Sequence, residues 1–183
     1  MQDVEAFIEL IRENRHEEAL DMLNASPALA VARTGRSGQL HGATPLHWAA
    51  HRNATALCDR LIDLGANVND SAGDWWLTPL SWGADAGSAD AVELLLTRGA
   101  DVNQDAIVGT TALHAVAMGG SSQGKRNPLA YARTAQILIA HGADINRRTA
   151  NQRTALDDAI ESSNDAVVTV LRKHGAGGSA ATD

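Results

Sequence analysis

Apolar residues recur along the chain at the spacing of amphipathic α-helices, in short segments that come in pairs. Phe7 and Ile11 mark the first such segment, and Leu20 and Leu23 mark the second. In the later pairs the first segment is rich in small residues, and the second carries Leu, Ile or Val side chains on one side. Because small residues let a helix lie close to its neighbours, the pattern predicts an all-α fold of packed helix pairs.

Two short phrases recur in register with these pairs. The first begins at Thr44, Thr78, Thr111 and Thr154, and it reads Thr-Pro-Leu-His, Thr-Pro-Leu-Ser, Thr-Ala-Leu-His and Thr-Ala-Leu-Asp. The second begins at Gly65, Gly99 and Gly142 as Gly-Ala-Asn-Val-Asn, Gly-Ala-Asp-Val-Asn and Gly-Ala-Asp-Ile-Asn, with a truncated Gly-Ala at Gly175. The threonines are 34, 33 and 43 residues apart, so one insertion lies inside the third copy.

Each phrase has a physical reason. Thr44 and Thr78 suit the N-cap of a helix, where the hydroxyl accepts a hydrogen bond from a free backbone N–H, and the proline that follows suits the first helical position. The glycines of the second phrase suit the left-handed residue that ends a helix, since glycine adopts that conformation at little cost. A single helix pair cannot bury its apolar faces alone, so we expect neighbouring pairs to stack.

The two phrases resemble the ankyrin repeat, which has a period of 33 residues and a Thr-Pro-Leu-His signature. The resemblance covers about residues 40–176, and it implies an ankyrin-repeat solenoid of stacked helix-turn-helix units with short β-hairpin loops. It predicts a single array over residues 1–176 and a disordered tail at 177–183. The expected units are N-terminal capping helices at 1–37, full repeats at 38–69, 70–103 and 104–146 with the insertion at about 119–128, and a C-terminal capping repeat at 147–176.

Composition and charge narrow the function. The chain has 183 residues and a net charge of −7, which argues against nucleic acid or an anionic membrane as the main partner. No apolar stretch reaches the roughly 18 residues of a membrane span, and the first residues lack a basic and apolar leader. Cys58 is alone, so no disulfide framework is expected. We therefore expect a cytoplasmic monomer whose partner is another protein, as the resemblance implies.

Four of the six aromatic residues are tryptophans. Trp48 and Trp82 hold the same repeat position, and a helical wheel places both away from the core-facing leucines, toward the concave side. Trp75 and Trp76 fall in the turn before the second full repeat, where ankyrin proteins usually have glycine two residues before the threonine. The helical pair has two interpretations: part of an aromatic binding patch, or larger framework residues at a position that usually holds leucine.

Loop tips and the ends of first helices usually contact the partner in ankyrin proteins, and tryptophan and arginine are frequent among residues that dominate binding energy. Residues of this chain at such places make up the predicted partner-binding surface. They are His41, Trp48, His51, Arg52, Trp75, Trp76, Trp82, Asp85, Ile107, Val108 and Met118.

A small-molecule or catalytic site in the groove between repeats is the alternative function. His51 and Asp85 hold equivalent positions on adjacent repeats, so a base and a carboxylate could meet beside Trp48 and Trp82. No nucleophile with a supporting partner is visible, so no catalytic residue is predicted. A closed cavity of a few hundred Å³ at these tryptophans would favour this alternative, whereas an open apolar surface would favour protein binding.

Neither a metal nor a cofactor is predicted. His47 and His51 have the spacing of a His-Glu-x-x-His zinc site, but Trp48 stands where the general-base glutamate is needed. The Gly-rich insertion resembles a phosphate-binding loop only in part, because Arg126 stands where Ser or Thr must bind Mg²⁺.

Overall fold

The computed structural model of the chain describes residues 2–35, 42–74, 76–119 and 127–178. Within these ranges the chain forms ten α-helices and one 3-10 helix, Pro27–Val31. The α-helices are α1 (Gln2–Arg12), α2 (His16–Ala25), α3 (Pro45–His51), α4 (Thr55–Asp63), α5 (Pro79–Ala86), α6 (Ala89–Thr97), α7 (Ala112–Met118), α8 (Pro128–Ala140), α9 (Ala155–Glu161) and α10 (Asp165–Lys173). The predicted all-α repeat fold is confirmed. Hairpin pairing in the described part is limited to one antiparallel bridge, between Ala72 and Leu77.

The helices pack in two rows. The first helices of the pairs, α1, α3, α5, α7 and α9, contact one another in chain order, and the second helices do the same. The core lies between the rows as one continuous cluster from the first pair to the last. Its fully buried large side chains include Phe7, Ile11, Leu23, Leu46, Leu57, Leu61, Leu80, Leu95, Leu113, Leu138 and Leu171. Each pair therefore buries its apolar face against its neighbours, as expected for a stack.

The repeated phrases form the starts and ends of the helices. Each first helix from α3 to α9 begins with a capping box, in which the threonine side chain and the side chain three residues later each accept from the other's backbone N–H. The later residues are His47, Ser81, His114 and Asp157. The predicted left-handed glycines are also confirmed, since Gly65, Gly99, Gly142 and Gly175 have φ of 96°, 90°, 86° and 82°.

The asparagine that closes each second phrase joins one repeat to the next. Asn69 Nδ2 donates to the Gly99 carbonyl at 3.3 Å, and Asn69 Oδ1 accepts from the Asp101 N–H at 2.8 Å. Asn103 makes the same two bonds to the following repeat, at 3.0 and 2.8 Å. These bonds pair backbone groups left free at the helix-ending turns, so the phrase stabilises the stacking of units as well as the turn.

The last contact of this asparagine ladder involves the residue that follows the predicted array. Asn146 Oδ1 accepts from the Gly177 N–H at 2.9 Å. The domain boundaries, including a tail at 177–183, stay a prediction. Residues 179–183 lie outside the described residues.

The third repeat differs from the others in its second helix. α8 has 13 residues, whereas α4, α6 and α10 have 9 each. Its additional first turn carries Tyr131, which is buried and donates its hydroxyl to the Asp85 carbonyl at 3.1 Å. A Cβ on Gly119 would lie only 2.5 Å from the Tyr131 ring, so glycine is needed where α7 ends. Of the predicted insertion, residues 120–126 lie outside the described residues.

Even α8, the longest described helix, is short compared with a membrane span. Among the described residues, no helix combines the length and the apolar character that crossing a membrane requires.

Candidate functional site

A groove crosses the row of first helices, from α1 through α3 and α5 to α7. It encloses about 480 Å³ and is partly open to solvent. Its apolar lining residues are Trp48, Leu77, Trp82, Ala115 and Met118. Its polar lining residues are Arg12, His51, Arg52, Ser81 and Asp85. We call this cavity the tryptophan groove; its volume lies in the range of ligand pockets.

Two tryptophans form the floor of the groove. The ring centroids of Trp48 and Trp82 lie 5.1 Å apart, and the ring planes are nearly perpendicular, at 86°. This edge-to-face arrangement is favourable for aromatic rings. Trp82 is only 8% exposed, because Ala43, Ala72 and Leu77 pack over it. Trp82 is therefore a buried framework residue, and it also forms part of the groove wall.

The groove follows from repeat register. Trp48, Trp82 and Ala115 each lie four residues after the capping threonine of their repeat, so they hold equivalent positions on α3, α5 and α7. Alanine in the third repeat leaves space where the first two repeats have an indole. The residues seven positions after the threonine also line the groove, at His51, Asp85 and Met118.

One end of the groove is cationic. The Arg12 guanidinium lies 5.2 Å from the ring centroid of Trp48, within the range of a cation–π contact, and it also pairs with Glu9 at 2.8 Å. Arg52 is half-buried, and its Nε has no hydrogen-bond partner among the described residues. Burial and the Arg52 charge together lower the pKa of His51. At neutral pH the imidazole is therefore uncharged, and the two arginines carry the positive charge.

Further along the groove, α5 carries an acidic residue, Asp85. The Asp85 carboxylate is exposed to solvent but crowded by the groove walls, and partial loss of its hydration raises its pKa. His51 and Asp85 line the same groove, yet no hydrogen bond between their side chains is present in the described part of the chain, and His51 Nδ1 is unpaired there. The two residues therefore do not form the hydrogen-bonded acid–base pair that the catalytic alternative needs.

Several buried polar atoms at the groove have no hydrogen-bond partner among the described residues. They are Trp48 Nε1, His51 Nδ1, Arg52 Nε and Trp82 Nε1. Buried polar atoms are nearly always paired in folded proteins, and each unpaired one costs about 1–3 kcal/mol. Four such atoms therefore lie at the groove and are available to hydrogen-bond a bound group.

Trp76 lies apart from the groove, at the tip of the preceding turn. It is 62% exposed and has a left-handed backbone, with φ of 56°. The equivalent residues of the other turns, Gly42, Gly109 and Gln152, also have positive φ, at 74°, 77° and 62°. The turn geometry thus favours glycine at this position, and an exposed indole is held there against that preference.

The remaining predicted residues lie elsewhere. Ile107 is 59% exposed at the third tip, and the Val108 carbonyl accepts from the Ala150 N–H at 2.8 Å, so neither residue lines the groove. His41 and Trp75 lie outside the described residues.

Four groove residues were not identified from the sequence: Arg12, Leu77, Ser81 and Ala115. Arg12 ends α1 as His51 ends α3, so extending the repeat register into the N-terminal pair would have found it. An alanine by itself does not indicate a binding site. Ala115 lines the groove because the two preceding repeats have a tryptophan at the same position and the third repeat does not.

Comparison with known proteins agrees with this architecture. The family described as ankyrin repeats (3 copies) matches residues 10–106 and 103–180. A stretch of 33 residues, 18% of this chain, is 58% identical to palmitoyltransferase akr1 of Emericella nidulans. The aligned stretch is 4% of the palmitoyltransferase, so the likeness concerns a repeat-sized segment of a much longer protein.

Proposed function

This chain belongs to the ankyrin repeat family, and on that premise we propose that it is a protein-interaction module that holds a segment of its partner in the tryptophan groove. Ankyrin repeats generally mediate contacts between proteins, and stacked repeats offer extended binding surfaces. The observation that carries the proposal is the aromatic-floored groove with unpaired buried polar atoms. Trp76 provides a second contact at the loop tip.

The shape of the groove favours an extended segment. Packed helices lie about 8–10 Å apart, so a groove across four first helices is on the order of 25 Å long. An extended chain rises about 3.3 Å per residue, so roughly eight residues fit along it. Tryptophan and arginine side chains in a partly desolvated groove are typical of residues that dominate binding energy.

Replacing Ala115 with tryptophan is expected to block the groove without unfolding the protein. The first two repeats already hold tryptophan at this position, so the stack accommodates the side chain there. Peptides selected on the wild-type chain from a random octapeptide library displayed on phage should bind Ala115→Trp at least tenfold more weakly, a loss of about 1.4 kcal/mol. Fluorescence polarisation measures the affinities, and thermal unfolding confirms that the variant is folded.

Selected peptides that bind Ala115→Trp as tightly as wild type would place the binding surface outside the groove.

A small-molecule site is the second candidate, favoured by a volume typical of ligand pockets. Native mass spectrometry distinguishes it, because a small molecule bound in the cell would add mass to the wild-type chain and not to Ala115→Trp.

Replacing Trp76 with glycine is expected to weaken binding of the whole partner while leaving the fold at least as stable. Glycine adopts the left-handed backbone freely, whereas Trp76→Ala keeps the strain, so the glycine variant should be about 1 kcal/mol more stable than the alanine variant. Urea unfolding gives the stabilities. The affinity is measured by capture of a partner protein that binds the wild-type chain and does not bind Ala115→Trp.

Gln152→Gly is the matched control, because Gln152 has the same left-handed backbone in the last turn and no aromatic side chain. It should relieve strain in the same way and leave capture unchanged. If Trp76→Gly loses several kcal/mol of stability, Trp76 is a packing residue and not a partner-binding residue.

A further inference from the structure

The tryptophan groove holds a half-buried cation for which the described chain supplies no anion. Several other arginines of the protein pair with carboxylates, among them Arg98 with Asp59 and Asp63, Arg147 with Asp105, and Arg153 with Asp158. Arg52 has no such partner among the described residues, and its Nε is buried and unpaired. A partly desolvated guanidinium favours a carboxylate that can accept two parallel hydrogen bonds.

Arg12 increases the positive potential at the same end of the groove. Its pairing with Glu9 is half-exposed, and such surface pairs are weak, so Arg12 can also contact a second carboxylate. The nearby His51 is neutral and does not compete for an anion. In a chain with a net charge of −7, this end of the groove is therefore a local site of attraction for acidic groups.

Asp85 makes the charge of the groove differ along its length. Asp85 lies on α5, whereas Arg12 ends α1 and Arg52 follows α3, so the carboxylate is displaced from the arginines along the groove. Burial raises the pKa of this carboxyl group. A bound segment with an acidic side chain is attracted to the arginine end and repelled by Asp85, so only one orientation is favourable.

The apolar floor begins directly beside the cations. The Arg12 guanidinium stacks on Trp48, and Trp48 contacts Trp82 at 5.1 Å. The space beside Ala115 lies one and a half to two helix spacings from Arg52, which follows α3, so the two positions are roughly 12–20 Å apart. At about 3.3 Å per residue, a separation of four to six residues in an extended segment spans this distance.

We propose that the groove recognises an internal, extended peptide segment in which an aspartate or glutamate precedes or follows a bulky apolar residue by four to six positions. The acidic side chain binds Arg52 and Arg12, and the apolar side chain fills the space between Trp82, Ala115 and Met118. This inference rests on the proposed function, since it names the chemistry of the segment that the groove holds.

The octapeptide selection described above tests the chemistry directly. Sequences recovered on the wild-type chain and lost on Ala115→Trp should be enriched in one acidic residue at the stated distance from Leu, Ile, Met, Phe or Trp. Recovered sequences that are neutral or basic would overturn the inference and leave the proposed function intact. If no recovered peptide depends on position 115, the proposed function fails, and the inference fails with it.

A double-mutant cycle then tests the contact itself. One recovered peptide is synthesised with acetylated and amidated ends, in its acidic form and with the acidic residue changed to its amide. On wild type the change should weaken binding at least fivefold, whereas on Arg52→Gln it should matter less than twofold. Equal losses on both proteins would show that the acidic residue does not contact Arg52.

Two controls separate this contact from general electrostatics. Arg60→Gln removes a cation outside the groove, whose side chain bonds to Asn24, and it should leave the full effect of the peptide change. A peptide with a free C-terminal carboxylate and no acidic side chain should bind weakly. If it binds as tightly as the acidic peptide, the groove recognises a C-terminal carboxylate, and the internal-segment inference is wrong.

Discussion

Replacing Trp82 with alanine is expected to lower the free energy of unfolding by about 3–5 kcal/mol, the range for truncating a buried aromatic core residue. Trp82 is 8% exposed and packs against Ala43 and Ala72, so its removal leaves a cavity under the preceding turn. It also contacts the rings of His47 and Trp48, at 5.2 and 5.1 Å. Urea unfolding measures the loss.

The matched comparison is Trp76→Ala, which removes the same side chain from a tip where it is 62% exposed. That variant should lose less than about 1.5 kcal/mol. Trp82→Phe retains an apolar ring and should fall between the two. Equal, small losses for Trp82→Ala and Trp76→Ala would mean that Trp82 is a surface residue and that the turn does not cover it.

Acidification from pH 7 to pH 5 is expected to remove about 2 kcal/mol of stability through His47 alone. The Thr44 N–H donates to Nδ1 at 3.2 Å, and Nε2 is 3.0 Å from the Leu77 carbonyl, so Nε2 carries the proton. Protonation of Nδ1 would break the capping box. Burial lowers the pKa of this imidazole from 6.5 to about 4. The unfolded chain therefore binds a proton below pH 6.5 that the folded chain excludes, and stability falls as pH falls toward 4.

His47→Ser isolates this contribution, because Ser81 already fills the same capping position in the next repeat. The variant should be less stable than wild type at pH 7, since it leaves the Leu77 carbonyl without its donor. The difference between the two proteins should shrink by about 2 kcal/mol at pH 5. Burial also lowers the pKa of His16, His51 and His114, but these residues are present in both proteins and cancel in the difference. A difference that does not change with pH would show that His47 titrates normally.

Sequence pattern was enough to predict the helices, their order and their ends. The cap at Thr44 and the left-handed turn at Gly65 depend on interactions within a few residues. The residue type at each position therefore predicts the local structure. Repeat register extended this to the site. Residues equivalent in a stack lie on one face, so the sequence alone groups Trp48, His51 and Asp85, which line one groove.

Contacts between distant turns could not be predicted in this way. The helical wheel placed Trp82 outside the core, yet Ala43 of the preceding repeat and Ala72 of its own turn cover it. A wheel treats one helix alone and contains no information about the path of the loops beside it. The lengthened α8 and its contact from Tyr131 to the Asp85 carbonyl likewise depend on how the inserted residues divide between loop and helix.

By itself, the sequence determined an all-α array of stacked ankyrin units, because its caps, turns and apolar spacing are local and repeat in register. It also determined that tryptophans and charged residues share one face. Only the tertiary structure decided that Arg12 of the degenerate first pair joins that face, that Ala115 leaves an open space beside two indoles, and that Arg52 remains without an anion among the described residues. These features arise where side chains from four helices meet, and their packing is fixed by distances that no single repeat encodes.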